Sequence, residues 1–295
     1  MSSSTVRHRD VLLPLTAVAL WGGNAIAAKA SAGLIDAVPI TFFRWLLASL
    51  LLMPFVISAA VSHRAQLVSH LPRLILLGLL GCALFPCLMY LAARDTSAVN
   101  IGIIQALTPL FALGIAQVWS RTAISGGTTL GLVVSLLGVC LVVSHGDPLA
   151  MLRRPPNLGD LLMLAATACF ALYSVLLQRW RSDLPASLEL FVQSASASAL
   201  LAPMFFLLPW QPTAPASLPL VAYAAVLGSV AAPLLWMSGV ARIGPARATT
   251  YFNLLPLVTA VLAVAVLGEA LEAALLFGGV LVVGGVILAE WAAGL

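Results

Sequence analysis

Polar and aromatic side chains interrupt several long apolar runs of this sequence, and their types suit the binding of a small amphipathic molecule. Indole and phenol rings could hold an apolar part, while amides could hydrogen-bond a polar end. Polar side chains are costly in lipid, so they usually face protein or water. The residues expected to line such a cavity are Trp21, Asn24, Tyr90, Gln105, Tyr173, Trp236, Tyr251 and Asn253. For any single polar residue, hydrogen bonding between helices is an equally good interpretation. For Trp and Tyr near the ends of the apolar runs, a position in the membrane interface is the alternative.

Two cations within apolar runs, Lys29 and Arg44, are candidates for contact with an anionic group of that molecule. Both could instead extend toward the outer lipid headgroups, and the sequence leaves the two alternatives open. Glu189 is the one carboxylate that we expect within the membrane, and a position at the membrane interface is the alternative. Proton-coupled exporters usually need such a group, so its scarcity favours uncoupled facilitated transport, with coupling through Glu189 as the exception.

Four prolines inside apolar runs form a third group of candidates. Each removes a backbone donor and is expected to free the carbonyl four residues earlier. We predict hinges that line a central cavity, with ordinary helix kinks as the other interpretation. The prolines are Pro86, Pro109, Pro233 and Pro256, and the expected free carbonyls are those of Cys82, Gln105, Ser229 and Phe252.

The composition requires a bilayer around these residues. Hydrophobic residues make up 62% of the 295 residues and charged residues only 8%, against roughly 25% charged in soluble domains. The formal net charge of +4 indicates membrane topology rather than binding of nucleic acid. Cysteine and histidine spacing suggests no metal site, and no cofactor is expected. No phosphate-binding lysine motif and no catalytic cluster occur, which argues against an ATP-driven pump and against an enzyme.

Apolar runs of membrane-spanning length divide the chain into ten predicted helices. They cover roughly 11–32, 39–60, 73–93, 98–119, 124–144, 159–179, 187–208, 219–241, 247–267 and 273–291. The longer connections are 61–72 and 145–158. The bias of Arg and Lys toward one side predicts that both termini face the cytoplasm.

The sequence also repeats itself at an offset of 147 residues. Because Gly and Pro have backbone requirements that few residues replace, their coincidence is the stronger signal. The pairs include Gly81 with Gly228, Pro86 with Pro233, Pro109 with Pro256, Gly131 with Gly278, and Gly138 with Gly285. We predict an all-α integral membrane fold of two inverted five-helix repeats, residues 1–147 and 148–295, with the substrate between them.

The fifth and tenth predicted helices are almost purely aliphatic with glycine. We expect them to be outer supports, whereas helices 1–4 and 6–9 surround the cavity. Their glycines permit close backbone approach. Packing within a monomer is the expected use, and a homodimer face is the alternative.

With these residues located, the chain resembles the EamA family of the drug/metabolite transporter superfamily, over residues 11–291. The first motif is Trp21-Gly22-Gly23-Asn24, which is similar to the family's aromatic–Gly–Ser/Gly–Asn start. The passage from Tyr90 through Ala98 to Leu107-Thr108-Pro109 is similar to a second motif. Gly244-Pro245-Ala246, Leu255-Pro256 and Leu267-Gly268-Glu269 resemble motifs of the second half. Thr122 stands where the repeat would place the counterpart of Glu269.

The resemblance implies a bacterial inner-membrane exporter of small metabolites, similar to YddG-type exporters of aromatic and hydrophobic amino acids. Alternating access would then move the solute across the lipid bilayer. The alternative is a proton-coupled exporter of cationic drugs or of another metabolite, which needs an acid inside the membrane.

Overall fold

The computed structural model describes residues 8–120, 126–144, 146–147, 157–180, 182–211, 213–243 and 251–293, and these residues form helices without strands. The helices before residue 148 are α1 (His8–Ser31), α2 (Ala37–Ser62), α3 (Arg64–Leu77), α4 (Phe85–Asp95), α5 (Ala98–Gln105), α6 (Thr108–Ser120) and α7 (Gly126–Val143). Those after it are α8 (Leu158–Arg179), α9 (Ala186–Leu207), α10 (Leu218–Tyr223), α11 (Ala232–Ile243), α12 (Leu255–Leu262) and α13 (Ala273–Ala293).

Among the described residues, seven helices are long and apolar enough to cross a membrane. Three further apolar helices are shorter: Gly126–Val142, Leu255–Leu267 and Ala273–Ala289. Large apolar side chains face outward, including Phe55 at 81% exposure and Phe206 at 73%. Such a surface is suited to lipid rather than to water. The chain is therefore a multi-pass integral membrane protein.

The third predicted span begins too late. A continuous helical stretch runs from Arg64 to Asp95, so most of the predicted connection 61–72 is helical. Hydropathy did not predict the start of this helix, because its first turns contain polar residues. Helix α3 can nevertheless continue past the apolar layer, because its backbone bonds are satisfied within the helix.

Two of the four prolines lie at helix starts rather than at kinks. Helix α5 ends at Gln105 and α6 begins at Thr108, so Pro109 is the second residue of a new helix. Pro256 likewise lies in the first turn of α12, after a 3₁₀ turn over Tyr251–Leu254. A proline loses nothing at such a position, since the first N–H groups of a helix have no partner within it.

The other two prolines, Pro86 and Pro233, each follow a π-helical segment. These segments are Gly78–Leu84 and Ala224–Ala231, and they match at the offset of 147 to within one residue. The N–H of Ala232 donates to Leu227, five residues earlier. In this wider register the carbonyl that Pro233 leaves without a donor is that of Gly228, so the prediction of Ser229 was wrong.

Helices α7 and α13 make the most extensive contact in the described fold. The Ser135 hydroxyl donates to the carbonyl of Val282 at 2.9 Å, and these residues are 147 positions apart. Around them Gly131 packs on Gly285, and Gly138 packs on Gly278. The backbones approach so closely that a Cβ on Gly138 would lie 2.7 Å from the Gly278 carbonyl. These four glycines are therefore used within the monomer.

A central core lies where α1 and α4 meet α5 and α8. Its wholly buried side chains include Met89, Ile101, Ile104 and Met163. Helix α1 also packs along α11 and α12. Because α1 contacts helices of both halves, its inward face can bring residues of both to one place.

Candidate substrate-binding site

Arg44 is fixed in the protein interior, two turns into α2. Its side chain is only 4% exposed. The Nε–H donates to the Ser229 hydroxyl at 2.9 Å, and Nη1 donates to the Tyr90 hydroxyl at 3.0 Å. The guanidinium carbon lies 5.1 Å from the ring centre of Trp45 and 5.8 Å from that of Tyr90. Arg44 is therefore held by both halves of the chain and does not extend to the lipid headgroups.

No acid balances this buried charge in the part of the chain that the structure describes. The ion pair found there joins Arg94 to Asp36, and Arg44 has no carboxylate within 4.0 Å. A guanidinium carries five N–H donors, and the two bonds to Tyr90 and Ser229 leave others available. The indole nitrogen of neighbouring Trp45 is also buried without an acceptor among the described residues. A carboxylate would satisfy these donors.

Asn24 brings an acceptor to the same place. It is 6% exposed, and its Nδ2 points at the Met89 sulfur, 4.0 Å away. Its Oδ1 is buried and has no donor among the described residues. The bare Cα of Gly228 makes room here, since a Cβ on it would lie 3.0 Å from Asn24 Oδ1 and 3.4 Å from Arg44 Nη2. A donor and an acceptor thus converge on one face of Gly228.

Two tryptophans add an aromatic wall beside this polar pair. The rings of Trp21 and Trp236 lie 5.6 Å apart between centres and are tilted by 55°. The Trp21 Nε1 donates to the Gly228 carbonyl at 3.3 Å, which occupies the oxygen that Pro233 leaves free. We use the name arginine cluster for this set of side chains and the glycine they surround: Trp21, Asn24, Arg44, Tyr90, Gly228, Ser229 and Trp236.

Other predicted site residues lie elsewhere. The Tyr173 hydroxyl donates to Gln193 Oε1 at 3.1 Å, and its ring packs against Gly81. Gln105 is buried at the end of α5, where its carbonyl accepts from the Thr108 hydroxyl at 2.7 Å. Thr108 thus satisfies the carbonyl that was expected to be free. Tyr251 is half-buried, and the side chains of Pro109 and Asn253 lie outside the described residues, as does Thr122.

Lys29 belongs to a second polar region rather than to the arginine cluster. Its Nζ donates to the Ala93 carbonyl at 3.1 Å. It lines a cavity of about 270 Å³ together with Asp95, Asn100, Glu269 and Glu272. We call this space the polar cavity. A larger cavity, of about 600 Å³, is bounded by apolar side chains of α6, α7 and α8 and contains none of the predicted site residues.

Glu269 closes one side of the polar cavity by capping α5. Its two carboxylate oxygens accept from the backbone N–H groups of Ala98 at 2.9 Å and Val99 at 3.2 Å. Gly268 turns the chain toward α5 with a left-handed φ of 67°, which favours glycine. A carboxylate is well placed at the positive end of a helix. The Gly–Glu element therefore joins the second half of the chain to the first.

The structure shows a buried acid other than Glu189, the one acid that the sequence predicted within the membrane. Asp160, in the first turn of α8, has no exposed surface. Its Oδ1 accepts from Thr96 Oγ1 and from Asn100 Nδ2. Glu189 is half-buried and accepts from the Ser182 hydroxyl at 2.5 Å. Sequence patterns do not reveal this burial, because the hydrogen-bond partners of Asp160 lie about sixty residues earlier.

The sequence interpretation also missed Trp45 and Met89. Nothing distinguishes Met89 from its apolar neighbours. Trp45 follows a predicted cation directly, and this adjacency was an available signal. Ser229 was noted only for its backbone carbonyl, although a hydroxyl in an apolar run was equally a candidate.

Comparisons with known proteins agree with this architecture. The model of the EamA-like transporter family matches residues 9–144 and again residues 157–291. The chain is 26% identical over 290 residues to the uncharacterized transporter YyaM of Bacillus subtilis, covering 97% of this chain and 95% of the relative. An uncharacterized transporter of Archaeoglobus fulgidus is 30% identical over 168 residues, 56% of each chain. One crystal structure superposes with a TM-score of 0.63 at 18% identity, covering 98% of both chains, which shows likeness of fold.

Proposed function

The chain belongs to the EamA-like transporter family of the drug/metabolite transporter superfamily, and on that premise we propose that it exports small amphipathic metabolites that carry a carboxylate. Aromatic and hydrophobic amino acids are the best match, as in YddG-type exporters. Its relatives are named as transporters, which supports a membrane transporter rather than an enzyme.

One observation carries the substrate class: Arg44 is buried at 4% exposure with no carboxylate within 4.0 Å in the described chain. An uncompensated charge in a membrane protein interior is unfavourable, and a functional role is the usual reason for it. An arginine binds a carboxylate through two parallel N–H donors. We infer that the substrate supplies the missing anion.

The rest of the arginine cluster suits the remainder of an amino acid. The unpartnered Oδ1 of Asn24 can accept from an ammonium group, at a short distance from the guanidinium across Gly228. The rings of Trp21 and Trp236 offer an apolar surface and can also face a cation. Binding of a zwitterion would thus satisfy an orphan donor and an orphan acceptor together.

We further propose a fold of ten transmembrane helices as two inverted five-helix repeats, with alternating access between them. The two separate family matches and the paired π segments support it. Arg44 of the first half bonds Ser229 of the second, so a movement of the halves would open the cluster. Pro86 and Pro233, each directly after a wide turn, are the proposed hinges. Pro109 and Pro256 begin helices and would flex at the preceding breaks.

The membrane setting follows the same proposal. The protein would lie in the bacterial inner membrane with both termini in the cytoplasm, as a monomer. Export of cationic drugs is the weaker alternative, because a buried guanidinium repels a cation at the site that we propose. Asp160 removes the argument for uncoupled transport that rested on a shortage of acids.

The test is uptake by proteoliposomes that contain the purified full-length protein. We expect flux of phenylalanine, much weaker flux of its methyl ester, which lacks the anion, and little flux of phenethylamine, which lacks the carboxyl group. Arg44→Gln should reduce phenylalanine flux at least tenfold. Arg73→Gln is the matched control, because Arg73 is exposed on α3. Equal flux of phenylalanine and its ester would overturn carboxylate recognition, and flux of phenethylamine alone would favour the cationic alternative.

A further inference from the structure

Asp160 and Asn100 form a buried polar pair next to the polar cavity. Asn100 Nδ2 donates to Asp160 Oδ1 at 3.1 Å, and the Thr96 hydroxyl donates to the same oxygen. Asp160 is 0% exposed and Asn100 is 2% exposed. Local structure fixes both: Asn157 caps α8 just before Asp160, and Ser97 caps α5 just before Asn100.

This pair has two oxygens without a donor. Asp160 Oδ2 and Asn100 Oδ1 are both buried and unpartnered among the described residues. Both are acceptors, so they cannot satisfy each other. A buried acceptor without a hydrogen bond costs free energy, and the cost is larger for a charged group. The pair therefore lacks a cation or a hydrogen-bond donor.

The surrounding charges make this place attractive for a cation. Asp95 ends α4, Glu269 caps α5, and Glu272 precedes α13; all three line the polar cavity with Asn100. Lys29 of α1 is the basic group that lines it, and its Nζ is bonded to the Ala93 carbonyl. Arg94 of α4 is paired with Asp36. The region is therefore acidic, and the polar cavity gives a route to it.

We propose that Asp160 and Asn100 bind a small monovalent cation, Na⁺ or H⁺, through Asp160 Oδ2 and Asn100 Oδ1. Hard oxygen ligands suit Na⁺, and a proton on Asp160 would turn one of the two acceptors into a donor. The site is separate from the arginine cluster. It depends on the proposed function only for its role in transport, where it would couple solute movement to an ion gradient.

The position of Asp160 and Asn100 in the fold supports a role in coupling. Asn100 and Thr96 lie at the α4–α5 junction, and Glu269 of the second half binds the first N–H groups of the same α5. A cation that neutralises Asp160 would change the packing of α8 against this junction. Glu269 belongs to the second half of the chain, and its carboxylate accepts from α5 of the first half. That change would therefore alter the contact between the halves.

The first test measures binding without any substrate. The melting temperature of the full-length protein in nanodiscs is recorded in NaCl and in choline chloride at equal ionic strength, and then across pH without Na⁺. A ligand that binds only the folded state raises the melting temperature, here by at least about 3 °C at saturation. Asp160→Asn removes the charge, so that variant should no longer respond to the cation. Asp183→Asn is the matched control, because it removes an exposed acid that does not line the polar cavity.

Each result decides the proposal. A response to Na⁺ in wild type and Asp183→Asn that is absent in Asp160→Asn identifies a sodium site. No response to Na⁺, with wild type less stable than Asp160→Asn at high pH and this difference closing as the pH falls, identifies a proton site. Wild type more stable than Asp160→Asn at high pH, without a response to Na⁺, would overturn the proposal, because the charged carboxylate is then satisfied without a cation. If wild type and Asp160→Asn behave alike in both series, water fills the gap and the proposal is wrong.

A second variant keeps the test decisive if Asp160→Asn does not fold. Asn100→Ala removes one of the two acceptors. The cation concentration that gives half of the shift in melting temperature should therefore rise at least tenfold. An unchanged response would overturn the proposal. Failure of amino-acid flux would contradict the proposed substrate but leave these binding results unaffected, so the two proposals can fail separately.

Discussion

The indole N–H of Trp21 donates to the carbonyl oxygen of Gly228 at 3.3 Å, and it supplies the donor that the backbone cannot. Ala232 bonds to Leu227 in the π register, and Pro233 has no N–H to offer Gly228. A side chain from the first half of the chain thus completes the backbone of the second half. This contact joins the aromatic wall of the arginine cluster to one of its proposed hinges.

Trp21→Phe should show that the Gly228 carbonyl depends on the Trp21 indole as its donor. The ring is retained but the Gly228 carbonyl loses its donor, so we expect a loss of about 1–3 kcal/mol in unfolding free energy. The same change in a Pro233→Ala background should be less damaging, because residue 233 then has an N–H. A double-mutant cycle of thermal unfolding measures the difference. Strictly additive effects would show that the two residues do not share this carbonyl.

Gly228→Ala should impair substrate binding while the protein still folds. The added methyl group would lie 3.0 Å from Asn24 Oδ1 and 3.4 Å from Arg44 Nη2, in the space proposed for the substrate's charged groups. We expect the KM for transport to rise at least about tenfold, which corresponds to about 1.4 kcal/mol. Gly284→Ala is the control, since a Cβ there meets nothing within 4 Å. Equal KM values for the two variants would place the substrate elsewhere.

Glu269→Ala should loosen the first turn of α5. The N–H groups of Ala98 and Val99 lose their acceptor, and loss of a helix cap typically destabilises by about 0.5–2 kcal/mol. Hydrogen–deuterium exchange at these two amides should become faster. Glu269→Gln should show an intermediate effect, because it keeps one oxygen. In Asp95→Asn, which alters another acid of the polar cavity, we expect exchange at Ala98 and Val99 as in wild type.

Gly138→Ala should destabilise the pairing of α7 with α13. A Cβ there would lie 2.7 Å from the backbone oxygen of Gly278, so the helices must separate, and overpacking typically costs about 1–3 kcal/mol. Gly284→Ala, on the open side of α13, should leave the melting temperature unchanged or slightly raised, because alanine favours a helix. A melting temperature for Gly138→Ala at or above wild type would contradict the close packing described.

The sequence was informative about which side chains gather because charge and polarity are so unfavourable in lipid. Trp21, Asn24, Arg44 and Tyr90 stand out in apolar runs for that reason, and the structure places them together with Trp236. Their role in binding substrate stays a prediction. For Lys29 the same reasoning could not choose between an anionic group of the substrate and the outer lipid headgroups. In the structure its Nζ donates to the Ala93 carbonyl, and the side chain lines the polar cavity.

The hydrogen-bond register of the backbone around the prolines could not be predicted from the sequence. A proline shows that one carbonyl will lack a donor, but either an α or a π turn can precede it. Tertiary contacts decide between them: Trp21 serves Gly228 only in the π register, and Arg44 bonds the Ser229 hydroxyl of the same segment. The burial of Asp160 was hidden for a related reason, because its donors, Thr96 and Asn100, come from a distant part of the chain.

The bond between Ser135 and Val282 has a mechanical consequence. These two residues are 147 positions apart, the offset of the sequence repeat, and the flanking glycines contact each other in crossed pairs. Under the proposed inverted repeat, this pair of residues therefore maps onto itself when the halves are exchanged, and it would lie on the axis of that exchange. If one helix rocked against the other about it, the bond would hardly lengthen, while atoms nine residues away, about 13 Å along the helix, would travel farthest. If the halves move as proposed, this pair of helices would act as a fulcrum, and spectroscopic labels at its ends, rather than at its middle, would report the displacement.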